Sequence, residues 1–73
     1  MDDVPIRDES IRLVQFLKLA NLIESGSDAR LLVQQGMVTV NDEVETRRGR
    51  QLRPGDVVAI DAHSARVTGP DPG

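Results

Sequence analysis

A chain of 73 residues with a net charge of -3 has room for one domain, and a domain this small buries only about 60% of the surface its unfolded state exposes, so modest stability is expected. There is no cysteine, and Phe16 is the single aromatic residue, which excludes a disulfide framework, a thiolate metal site and a platform of rings for stacking bases. No apolar run approaches the roughly 20 residues that cross a bilayer, and the acidic start lacks a leader pattern, so a cytoplasmic protein with no membrane partner is expected.

Charge is unevenly placed. Residues 1–9 carry four acids and one base, residues 10–53 seven bases and five acids, and residues 54–73 three acids and one base. A locally basic surface therefore survives a negative total, because fields are screened over about 8 Å at physiological salt.

In chain order, 1–9 mixes acids with Pro5 and reads as a disordered acidic N-terminal tail. Leu13, Phe16, Leu17 and Ala20 recur at helical spacing and predict a short first helix, with 11–13 as an extended lead-in. Ser25 stands where a cap satisfies free backbone donors, and Asp28 where the helix dipole favours an acid. A second helix follows with Ala29, Leu32 and Val33 inward, stopped by a left-handed Gly36. Val38, Val40 and Val44 then alternate on one face around Asn41-Asp42, the mark of a β-hairpin. Arg53-Pro54-Gly55-Asp56 fits a type II turn, 57–60 a strand, and 65–67 a last edge strand. Residues 68–73, rich in Pro and Gly, read as a disordered C-terminal tail, leaving 10–67 as the domain. The expected class is α+β, two short packed helices against a small, twisted, mostly antiparallel sheet.

Four segments, 14–20, 25–30, 36–42 and 54–58, resemble in order and spacing the S-four RNA-binding domain, named after protein four of the small ribosomal subunit. Residues 44–50 are similar to its stand-alone bacterial members of the YbcJ and YaaA type. The resemblance covers about residues 11–60. It implies the α-L arrangement of two helices on a sheet, and an RNA backbone met by the helix pair. The sequence departs from the pattern twice: Gly26 replaces an arginine common after the capping serine, and Asp42 replaces the glycine common after the hairpin asparagine.

The candidate binding residues follow. Arg47, Arg48, Arg50 and Arg53 crowd one segment, each with a rigid donor fork matched to phosphate oxygens. The competing reading is a solvated loop balanced by Asp42, Glu43 and Glu45. Lys18 and Arg30 lie on polar helix faces that the resemblance assigns to RNA contact. Ser25, Gly26 and Ser27 offer a helix terminus to a phosphate, and Asn41 marks the hairpin tip. His63 has no second metal ligand nearby in sequence, and no catalytic set is discernible. We therefore expect no enzyme, no cofactor and no metal, but a monomer that grips structured ribosomal or transfer RNA, working alongside the ribosome or RNA-processing proteins. The alternative is a protein-interaction adaptor that keeps the fold.

Overall fold

A change of hydrophobic period at Gly36 separates two helices from a run of strands. The computed structural model describes residues 2–23, 26–47 and 49–69, with the side chains of 26–28 outside the description. The order is β1 (Asp2–Pro5), β2 (Ile11–Arg12), α1 (Leu13–Leu19), α2 (Gly26–Gln34), β3 (Val38–Val40), β4 (Glu43–Val44), β5 (Gln51–Leu52), β6 (Val57–Ile60) and β7 (His63–Thr68). Five strands form one sheet in the order β1-β7-β6-β3-β4, and β2 with β5 makes a separate two-stranded ribbon. All pairings are antiparallel except β1 with β7. The α+β class is as expected.

Both helices stop in the same way. At the end of α2, Gly36 takes φ 76 while Gly36 N donates to Val33 O and Met37 N to Leu32 O. At the end of α1, Asn21 takes φ 58 with matching bonds from Asn21 N to Lys18 O and from Leu22 N to Leu17 O. The paired bonds satisfy carbonyls that a helix end otherwise leaves open. At the other end of α1, Arg12 supplies no side-chain cap. Instead, Leu13 N donates to Arg50 O at 2.9 Å, which ties the helix start to the arginine segment.

The helices and the sheet share one core. Leu13, Phe16 and Leu17 of α1 and Ala29 and Val33 of α2 meet Val38, Leu52, Val58 and Val67, all fully buried. Burying each large aliphatic side chain contributes about 1.5–3 kcal/mol relative to exposure.

Two expectations about the termini are corrected. Residues 2–5 form a strand paired in parallel with β7, Asp2 opposite Ala65 and Pro5 opposite Thr68. Ile6 N donates to Thr68 O at 2.9 Å, and the Ile6 side chain enters the core. Val4 and Ile6, two apart, provide the inward face, and Pro5 is tolerated because β1 is an edge. The strand at 65–67 is accordingly interior, and the ordered domain runs beyond 10–67 at both ends, through 2 and 69. Residues 70–73 lie outside the described residues.

The hairpin carries a third correction. Asn41 and Asp42 both have positive φ, 54 and 69, as a two-residue type I′ turn requires. Such a turn sets Val40 opposite Glu43 and Thr39 opposite Val44. Val44 therefore shares the face of Thr39, not that of Val38 and Val40, and is 61% exposed. The next residue, Glu45, donates its N–H to Val38 O and turns its side chain to the buried side, with only 6% of its surface exposed.

Candidate nucleic-acid interface

The arginine segment runs from Glu45 into β5 and is folded against the start of α1. β5 pairs with β2, Ile11 opposite Leu52 and Arg12 opposite Gln51. Leu52 faces the core, so Arg12 and Gln51 face outward, and Arg53 beyond them is also exposed. The ribbon thus brings Arg12 to the segment containing Arg47, Arg50 and Arg53. Sequence reading missed Arg12, because a two-residue strand carries almost no periodic signal and its partner lies about forty residues on.

Glu45 organises this segment. Its Oε2 accepts from Arg47 Nε at 3.1 Å and from the Arg47 backbone N–H at 3.2 Å. Its Oε1 accepts from Arg47 Nη2 at 3.2 Å and from Arg50 Nη1 at 2.7 Å. The Arg47 fork is bidentate, the strongest form of this pairing. Hydrogen bonds from Arg47 and then Arg50 outweigh the effect of burial and hold the Glu45 carboxyl at about 2, against an ordinary 4.5. The same bond raises Arg47. The carboxylate is nearly covered, while the Arg47 side chain is 75% exposed and that of Arg50 32%. The three charges sum to one positive unit on the surface.

Of the three acids near this segment, Glu45 is paired with its arginines, and among the described residues no ion pair joins Asp42 or Glu43 to an arginine. Arg53 uses its backbone N–H, not its guanidinium, to bond Asp56 Oδ2 at 2.9 Å. Arg48 lies outside the described residues.

The other candidates separate into groups. Lys18 and Arg30 are exposed on α1 and α2, and no ion pair among the described residues engages either. The two helices pack on each other, but no bond joins these cations to the arginine segment among the described residues. Ser25 lies outside the described residues, and Gly26 and Ser27 occupy the first positions of α2, the side chain of Ser27 outside the description. Asn41 is committed to the fold: its Nδ2 donates to Asp56 Oδ1 at 3.1 Å, and its Oδ1 accepts from Val57 N at 2.9 Å. It braces the hairpin against the type II turn, where Gly55 has φ 101 and Asp56 N donates to Arg53 O. Among the described residues, no cluster of acids and His63 has the grouping of a metal site, and no helix is long and apolar enough to cross a membrane.

A helix pair, a mixed sheet closed by its N-terminal strand and a basic ribbon define a small α+β domain of a recognisable class. The S4 domain family model matches residues 4–68, and the chain belongs to that family. In Bacillus subtilis (strain 168) a similar protein, named "Probable ribosome maturation protein RlbA", is 50% identical over 58 residues, 80% of this chain and 82% of its own. YbcJ of Escherichia coli (strain K12), whose name carries RNA binding as a provisional assignment, is 35% identical over 57 residues, 78% of this chain and 81% of its own. The crystal structure of 30S ribosomal protein S4e from Thermoplasma acidophilum shares the fold with a TM-score of 0.64 at 24% identity, over 81% of this chain and 31% of that one.

Proposed function

We propose that this chain is a non-catalytic RNA-binding protein of the cytoplasm that grips the phosphate backbone of structured RNA. The observation that supports the reading is the β2–β5 pairing of an S4-family domain, which sets exposed Arg12 beside the segment that carries exposed Arg47 and Arg53 and half-buried Arg50. Ribosomal RNA is favoured over transfer RNA by the name of the relative that is 50% identical. With no aromatic platform, phosphates and 2′-hydroxyls are the available handles, and specificity rests on shape. Lys18 and Arg30 extend the grip along the helix pair.

Neutralising about four phosphates at a slope near -0.7 each weakens binding roughly fifty-fold between about 50 and about 200 mM salt. A filter-binding titration against protein-free ribosomal RNA measures this. Arg12→Glu with Arg53→Glu, both exposed positions, should abolish the interaction. A flat salt response or undiminished binding by that variant refutes the reading, and a cellular partner that survives nuclease treatment would favour the adaptor.

A further inference from the structure

Glu45 is an acid in the middle of the most basic segment of the chain. If the arginines acted as independent charges, this carboxylate would only weaken the attraction for a polyanion. The geometry gives it another role. Its backbone is fixed to β3 by the bond from Glu45 N to Val38 O at 3.0 Å. The hairpin register turns its side chain under the loop, and both carboxylate oxygens receive guanidinium donors. Arg47 spends Nε and Nη2 on Glu45 and Arg50 spends one terminal nitrogen, so each guanidinium keeps further donors, on an exposed side chain for Arg47 and a partly exposed one for Arg50. Arg47 is otherwise a long, mobile side chain on an exposed loop, whose ordering would have to be met at the moment of binding.

We propose that Glu45 is a positioning residue for RNA binding: it holds Arg47 and Arg50 as one preorganised two-guanidinium clamp for a backbone phosphate. The inference rests on the RNA-binding reading above and concerns how the same surface works. It inverts the sign expected from charge alone. Glu45→Gln makes the protein one unit more positive, yet should bind ribosomal RNA about five- to ten-fold more weakly, because a neutral amide offers one acceptor oxygen and cannot hold both forks.

The test is a set of dissociation constants for protein-free ribosomal RNA at fixed low salt, with circular dichroism confirming that each variant is folded. Weaker binding by folded Glu45→Gln supports the proposal, and equal or tighter binding overturns it. Arg47→Lys, charge-conserving at an exposed position, provides an independent test should Glu45→Gln fail to fold: at least about three-fold weaker binding is expected, since an ammonium cannot form the fork, and unchanged affinity overturns the proposal. A double-mutant cycle separates positioning from a general structural effect. In the Arg47→Ala, Arg50→Ala background, Glu45→Gln should cost no further affinity, and the same loss there as in the wild type overturns the proposal. Failure of the wild-type chain to bind the RNA sinks the underlying reading instead, and the clamp with it.

Discussion

Two carboxylates meet arginine at contacts of 2.7 to 3.1 Å in different surroundings. Arg66 meets Asp3 at 3.0 Å with both side chains about half exposed, whereas Arg47 and Arg50 meet a Glu45 that is almost covered. In the first, water solvates the charges whether or not they pair, so the pair adds little. In the second, the carboxylate has been placed at the edge of the core by strand register and has lost most of its water, so its partners are a condition of its being there. Strand β1 is thus held by its ladder and by Ile6, and the loop after β4 by its ion cluster.

The largest effect should come from attacking the apolar hold on β1. Ile6→Ala removes a side chain that is 5% exposed and is expected to cost about 3 kcal/mol, read as a fall in the urea midpoint. Loss below about 1 kcal/mol would mean that β1 is not anchored as described. Next is the Arg47→Ala, Arg50→Ala double variant, which strands the Glu45 carboxylate at a cost of about 2 kcal/mol. Adding Glu45→Val to that variant should recover most of the loss, since an apolar residue suits a covered site better than an orphaned charge. A double variant as stable as the wild type would show that water reaches Glu45 freely.

Acid sharpens the contrast further. The carboxyl of Glu45 lies at about 2 in the folded state, below its ordinary 4.5, so the folded state binds fewer protons there than the unfolded state does. The stabilisation is complete above about pH 4.5 and is lost as pH falls from there through about 2. The gap in urea midpoint between the wild type and Glu45→Gln should accordingly be wide near pH 7 and close as the pH is lowered towards 2. A gap that stays constant would contradict the depressed carboxyl.

Much of this was readable from the residues. Gly36 and the Pro54-Gly55 turn declare themselves because few residues other than glycine adopt their backbone angles at low cost, and the inward stripe of each helix follows from spacing. Asn41 was legible as a turn residue, though not its side-chain bonds to Asp56 and Val57, which cross a gap of some fifteen residues. The fate of Val44 and Glu45 shows a sharper limit. Valine inward and glutamate outward is the natural reading of the pair, yet the two-residue turn already sets Val38 opposite Glu45, and tracing that register would have found the buried acid. Strand β1 and the placement of Arg12 were harder, since each depends on a pairing with a remote segment and neither has a period long enough to show. The arginine segment was legible from its composition and from the resemblance of residues 44–50 to stand-alone members of the family, and neither tells which guanidinium groups are already engaged.

The smallest effect tests the other side of the comparison. Asp3→Asn removes the charge that meets both Nε and Nη2 of Arg66 across 63 residues of sequence, a pair that on a contact diagram looks as important as that of Glu45. Because both partners remain accessible to water in the folded state, the Coulomb gain is largely offset by lost solvation and by the ordering of a long side chain. The Asp3–Ala65–Arg66 neighbourhood also keeps its backbone ladder in the variant, since that depends on main-chain groups. The expected change in unfolding free energy is within about 0.5 kcal/mol, and it should shrink further in high salt, where the effect of the Arg47 and Arg50 double variant persists because Glu45 is shielded from counterions. An Asp3→Asn cost as large as that of the double variant would mean that exposure does not separate the two pairs, and that ion pairing, not burial of Ile6, fastens β1 to the sheet.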